Sequence, residues 1–582
     1  MKLENNPFEY EAANNLTDEL IAEYFIDDFN YSRFIQSRRN VFLVGERGSG
    51  KTMALLFNRW RLQKLLAERE GRKPSLTTIG VYIPCNTPLT HKTEYQLLDD
   101  FRATVLSEHF LVLSMTYGFA ETLSEIPDVL EGAVEESLRQ EASFVLGADL
   151  PEQASFFEAV MRFVQRELLN TQRALNRGGG AEFYENTFSF ASVFVPLVHL
   201  CSRRVPRLAD AHFLLMLDDA HTLNKHQVRA LNSWIAYRDH SLFSFKVAVA
   251  KVDTHSKLTS SGGSILEGHD YTEVDLEASY QNPNSSFYQL AKTLMVRRLE
   301  KIGVKAPPEE FFPVNARMEA DLRKSAEFVR REAHRKFGET KEKAKAVTDF
   351  VYKYTRAHYF KTRPLKANRP PYSGFETLVF LSTGVIRNLL EPCFWMYDRA
   401  MSELGGDVDD WGQGRIQAIE PRIQTEVILE RSKRVWEWLE KGIANDVQGC
   451  SLENGRRAYK LMNALAVLFR RRLAENRSEP CAVSFTISGQ EDENVEKLMQ
   501  VIEVLRRGQL LYLRSGPAKD KGQRETYYMP NKFLWPIRGL DPHGQHARVS
   551  IPAGVLWKAA DEGKIEPRPD DNQQKRLWDN ES

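Results

Sequence analysis

The chain lacks the residues that mark secreted, membrane-spanning or strongly basic proteins. It has 5 cysteines in 582 residues, at positions 85, 201, 393, 450 and 481, far apart and never as C-x-x-C. An odd, scattered set argues against a disulfide scaffold and a structural zinc, and points to a reducing compartment. Charge of one sign is not in excess: Lys+Arg and Asp+Glu are 79 each. A global basic field is thereby excluded, and any contact with nucleic acid must come from a local face. The most apolar stretch, Phe190–Cys201, is too short for a bilayer span and holds Pro196 and His199. The N-terminus has no basic segment followed by an apolar one, so no signal peptide is expected. A cytoplasmic protein with no membrane partner follows as the expectation. There are no internal repeats, and no H-E-x-x-H or G-x-S-x-G. His221 and His226, and His543 and His546, read as surface residues rather than metal ligands.

What is present is an ordinary globular composition, 42% apolar and 27% charged. The chain is too long for one core, and about three or four domains are expected. Its most informative stretch is Val41–Thr52. A β-branched and aromatic run is followed by G-x-x-x-x-G-K-T, and then by Met53, Leu56, Phe57 and Trp60 at helical spacing. Gly45, Glu46, Arg47, Gly48, Ser49 and Gly50 would curl so that backbone N–H groups face phosphate oxygens. Lys51 would put a cation beside the β- and γ-phosphates, and the Thr52 hydroxyl would hold Mg²⁺. Met53 completes the candidate nucleotide-binding set. ATP and Mg²⁺ are therefore the expected cofactors.

A second motif lies at His212–Asp219. Its apolar run ends in paired carboxylates, which suits a central parallel strand with its C-terminal end in the site. Asp218 would hold the metal's water shell, and Asp219 would orient or deprotonate the attacking water. Further buried strands are expected at Asn40–Val44, Thr77–Cys85, Phe243–Ala250 and Asp270–Leu276. Five strands joined by helices make a three-layer α/β core.

The remaining pattern suggests an organisation. Residues 1–36 form an N-terminal helical segment, and 37–285 the core, with a helical insertion at about 90–205. Residues 286–445 are helical, with a Lys/Arg-dense stretch Met318–Lys361 that reads as a solvated helical hairpin or as a phosphate-facing surface. They also contain Ser382-Thr-Gly384-Val-Ile-Arg387. Residues 446–560 read as helix, strand, helix and basic-tipped hairpin, a winged helix-turn-helix that binds DNA or docks protein. Arg456, Arg457, Lys460 and Arg470–Arg472 read as its outward bases. A polar tail, 561–582, follows.

Phosphate loop, paired-acid strand, G-x-x-R and terminal winged helix occur here in one order. In that order they resemble the AAA+ ATPases of the origin-recognition and replication-initiator (ORC-CDC6-like) class, particularly bacterial relatives. The resemblance implies a P-loop core, an α-helical lid that closes on nucleotide, and a C-terminal winged helix. It also implies that Arg387 is a second sensor, a lid cation that reads the γ-phosphate; the alternative is a surface arginine at a helix start. There are three departures from the family pattern. Asp218-Asp219 replaces the common Asp-Glu, which implies slow hydrolysis and is shared with STAND signalling ATPases. Residues 252–270 contain no arginine finger, only Lys257, with Arg229 or Arg238 as substitutes. The fourth strand ends in Lys251, Val252 and Asp253, where Lys251 either contacts the γ-phosphate or pairs with an acid.

Two functions follow. One is an ATP switch that couples nucleotide state to double-stranded DNA, as a homo-oligomer or through a partner effector, in replication, mobile elements or antiphage defence. The other is a STAND-like nucleotide-gated scaffold without DNA contact.

Overall fold

In the computed structural model, the described residues are 6–10, 12–27, 31–87, 98–176, 187–237, 241–251, 256–277, 286–338, 343–363, 370–405, 416–474, 482–489, 494–517, 524–543 and 548–565. Arg238, Val252, Asp253, Cys481, His546, the tip of the basic hairpin and the last seventeen residues lie outside them. The chain divides into two units: Glu11–Ala278, and Met1–Tyr10 with Ser279–Ser582.

The first unit is built on five parallel strands: β1 (Val41–Gly45), β2 (Thr78–Pro84), β3 (His212–Asp218), β4 (Phe243–Ala250) and β5 (Thr272–Asp275), in the order β2-β3-β4-β1-β5. The near-continuous apolar runs of β3 and β4 follow from burial on both faces. Side chains alternate across the sheet. Phe213, Leu215 and Leu217 enter one core with the helices between β2 and β3. Leu214 and Met216 enter the other, with Ala54 and Leu55 of the helix after β1. Gly80 of β2 has a steric reason: a Cβ there would meet the Asn58 carbonyl at 2.1 Å. Only glycine lets the end of helix Lys51–Phe57 lie this close to the sheet.

The expected insertion is present as helices Asp100–Ser124, Glu135–Leu146 and Phe156–Asn176 and the helical stretch Phe190–Arg204, all between β2 and β3. Within the expected N-terminal helical segment, 1–36, one helix runs Asp18–Tyr24. The Thr17 side chain caps it, and Phe25 is extended. Asp18 is held by Arg59 and Arg61.

The second unit contains the antiparallel-packed helices Ala316–Phe337 and Ala344–Lys361, the helices Phe375–Leu381 and Ile386–Glu403 around the G-x-x-R turn, and Pro421–Lys441. Its last part holds a sheet of β6 (Ser484–Ser488), β7 (Leu511–Pro517), β8 (Arg524–Pro530) and β9 (Arg548–Pro552), in the order β7-β8-β6-β9. Helices Leu452–Ala474, Val495–Arg507 and Ala553–Glu562 pack against one another beside it. Helix Pro421–Lys441, strand β9 and helix Ala553–Glu562 were not anticipated. Residues 6–10 also belong to this unit. Phe8 is fully buried among Phe311, Phe312 and Tyr397, and Arg298 donates to the carbonyls of Pro7 and Glu9. No helix among the described residues is long and apolar enough to cross a membrane.

Candidate nucleotide-binding site

The loop after β1 owes its shape to glycine. Gly48 and Gly50 have φ of 84° and 99°, the left-handed region where a side chain is strained, and Gly50 caps helix Lys51–Phe57. Gly45 lies close to the loop: a Cβ there would be 2.6 Å from Ser49 Oγ, so that hydroxyl would have to turn away. Ser49 Oγ is buried and has no hydrogen-bond partner among the described residues. Lys51 is 6% exposed, and its ammonium donates to the carbonyls of Gly45 at 2.8 Å and Glu46 at 2.9 Å. Burial pushes its pKa down; the nearby carboxylates of Glu277, Asp218, Asp219 and Glu46 act in the opposite sense. Glu46 is buried and Arg47 exposed, its guanidinium 3.4 Å from His221 Nε2.

Asp218 ends β3 opposite Pro84 of β2 and is 1% exposed. Its carboxylate accepts from the Thr52 hydroxyl, from the Tyr82 hydroxyl at 2.8 Å and from the Asp219 backbone N–H at 3.0 Å. Burial and then the Asp219 charge raise its pKa, and the three donors oppose them. Asp219 has φ 52°, a left-handed turn that starts a short 3-10 segment, and its side chain is 33% exposed. The tip of the apolar strand thus carries one buried, hydrogen-bonded carboxylate and one open to solvent.

The ends of β4 and β5 close the same region. The Lys251 ammonium lies 2.7 Å from Asp275 and 3.2 Å from Glu277, so of the two roles open to it the acid pairing is the one present. Glu277 is 1% exposed, and its other oxygen accepts the backbone N–H of Glu46 at 3.0 Å. Lys257 is turned inward over the rings of Phe42 (4.0 Å) and Tyr271 (4.4 Å), which makes it unfit as an outward finger. Arg229 is exposed on helix Lys225–Ala236.

The donor set suits a magnesium triphosphate. A hydroxyl and a carboxylate are the hard oxygen ligands Mg²⁺ prefers, and a buried ammonium beside glycine-shaped backbone suits phosphate. The family model for ORC-CDC6-like proteins matches residues 6–551. The chain belongs to the ORC-CDC6-like family. It is thus an AAA+ chain of the nucleotide-binding, initiator type. No curated protein matches it.

In this ORC-CDC6-like chain, Arg387 lies in the other unit. It is the second residue of helix Ile386–Glu403, exposed and without a partner among the described residues. The turn before it is tied down within its own unit. Thr383 and Gly384 have φ of 57° and 80°. The Thr383 carbonyl accepts from Arg514 of β7 at 3.2 Å, its hydroxyl accepts from the Lys532 N–H at 3.2 Å, and Asn388 lies 3.2 Å from the Tyr512 hydroxyl.

Sequence reasoning missed Tyr82 and Glu277, since neither lies in a motif. It also misread the histidines. His221, His226 and His543 are not surface residues: their side chains are 7%, 6% and 7% exposed. His226 bonds to Thr104, and His543 to Asp541. Two expected outward arginines are engaged as well. Arg457 pairs with Glu453 and Asp561, and Arg470 donates to the carbonyls of Gly539 and Arg363.

Proposed function

We propose that this protein is an ATP-dependent switch that hydrolyses ATP slowly. The observation that carries the reading is the convergence of Lys51, Thr52, Asp218 and Asp219, residues from two distant motifs, within one unit. Lys51 binds the β- and γ-phosphates after releasing its two carbonyls. Thr52 and Asp218 hold Mg²⁺, which neutralises phosphate charge when bound. Asp219, partly exposed beside them, orients the attacking water. Its side chain is one methylene shorter than glutamate, which weakens that role and makes turnover slow. Arg387 supplies the γ-phosphate-sensing cation, and the bonds of the turn before it to Arg514 and Lys532, with that of Asn388 to Tyr512, support a route from nucleotide state to the C-terminal segment. That segment, read as a winged helix, binds double-stranded DNA or a partner protein. The chain acts as a homo-oligomer or on an effector, in replication, mobile elements or antiphage defence.

The commitment of Arg457, Arg470 and Arg514 to internal contacts favours a second reading, a nucleotide-gated scaffold of the STAND kind without DNA contact. Mass photometry with ADP, with a slowly hydrolysed ATP analogue and with duplex DNA separates the two: a DNA-bound species supports the first, and ATP-driven assembly indifferent to DNA the second. The site itself is tested by Lys51→Ala, for which ATP binding is expected to be lost; unchanged affinity overturns it. Asp219→Asn is expected to keep binding and lose turnover.

A further inference from the structure

The Tyr82 hydroxyl, like Glu277, is a part of the site that neither motif accounts for. β2 and β3 run in parallel with Tyr82 opposite Met216 and Pro84 opposite Asp218. This register brings a side chain from the neighbouring strand onto the acid at the tip of β3. The hydroxyl is 2.8 Å from Asp218 Oδ2. Asp218 Oδ1 is already taken by the Asp219 N–H at 3.0 Å. Each oxygen of the carboxylate therefore has a protein donor besides Thr52, and the plane of the carboxylate is held from both sides. A buried carboxylate with one oxygen free would rotate and would have to be reoriented for each metal it meets.

The other side of the hydroxyl reaches the N-terminal segment. Asn14 Oδ1 lies 3.0 Å from it, on the 3-10 segment Ala13–Asn15. A phenol carries one hydrogen, so the two acceptors compete and the carboxylate is the stronger. Turning the Asn14 amide over satisfies both contacts at once, since its NH₂ then donates to the hydroxyl oxygen.

We propose that Tyr82 is a positioning residue for the metal site, orienting the Asp218 carboxylate through its hydroxyl, with Asn14 seated against the same hydroxyl. The proposal rests on the reading of this loop as an ATP–Mg²⁺ site. Groups that orient a metal's ligands commonly change metal affinity by about 10-fold to 100-fold when removed.

The test is nucleotide affinity, followed with a fluorescent ATP analogue, in EDTA and along a Mg²⁺ titration. The full chain, Tyr82→Phe, Asp218→Asn and the double variant are compared. The readout is each protein's gain in affinity from Mg²⁺ relative to its own metal-free value, so a loss of folded protein is not mistaken for a loss of metal response. Tyr82→Phe is expected to need about 10-fold more Mg²⁺ for the same gain. In the Asp218→Asn background the same change is expected to have no effect, because the hydroxyl acts only through that carboxylate. A Tyr82→Phe titration that overlays the wild type overturns the proposal, as does an equal effect in both backgrounds. Failure of the underlying reading looks different: the unaltered chain then binds no nucleotide at any Mg²⁺ concentration.

Discussion

At the scale of the residue, the sheet contains a group whose cost is set by pH. Lys246 sits in β4 with no exposed surface, and its ammonium donates to the carbonyls of Ser37 and Arg39. Burial alone lowers its pKa to about 7. In the unfolded chain a lysine titrates near about 10.4. Between these values the unfolded state binds more protons than the folded one, so stability rises with pH. Below the folded pKa the burial penalty is fully present, and it is relieved as the amine deprotonates. Denaturant midpoints are therefore expected to climb from about pH 7 toward about pH 10, with Lys246→Met flattening the climb. Urea titrations of both proteins across that window check it. Lys532, also buried with its pKa lowered to about 7, contributes in the same direction, so some slope persists in the variant.

At the scale of the element, a two-pronged ion pair ties helix Ala344–Lys361 to the segment after β8. Arg356 makes two bonds to Asp541, at 2.8 and 2.9 Å, and the His543 ring adds a third at 2.9 Å. Burial would raise the Asp541 carboxyl; the guanidinium and the histidine overcome it and hold the group well below the usual carboxylate range. Asp541 is 1% exposed, so removing its partner strands a buried charge. Arg356→Gln is expected to cost roughly 3–5 kcal/mol of stability, measured by chemical denaturation. A loss below about 1 kcal/mol would show that the pair behaves as a surface ion pair. This pair also shows why the Lys/Arg density of Met318–Lys361 was ambiguous. Some of its bases, such as Arg356, are structural, while Arg317, Arg330, Arg331, Lys345 and Lys353 face solvent.

At the scale of the molecule, the chain is electrically neutral, so charge cannot drive a response to nucleotide except locally. Any switch must come from differential contacts with the triphosphate, and a swing from mostly open to mostly closed takes about 5.5 kcal/mol. The proposed reading assigns part of that to Arg387. Arg387→Ala is expected to bind ATP yet give the same limited-proteolysis pattern with and without it, whereas the unaltered chain changes pattern. An ATP-dependent change retained in the variant would return Arg387 to an ordinary exposed helix-start arginine.

The glycine-rich loop after β1, the five strands of the core and the helical insertion between β2 and β3 were all legible in the sequence. Each is written in a short window, by glycine spacing or by the period of apolar residues. Element edges shifted by a residue or two, as at Thr272–Asp275 against the expected Asp270–Leu276, because tertiary packing sets ends. Helix Pro421–Lys441 had a usable signal, a first-turn proline and apolar residues at 423, 427 and 428, which went unread. That Tyr82 bonds to Asp218, 136 positions away, and that Glu277 accepts the Glu46 N–H, 231 positions away, emerged from the folded chain alone. Those pairings depend on strand register and on which strand ends lie side by side. Neither leaves a periodic trace along the chain, so no local pattern could have shown them.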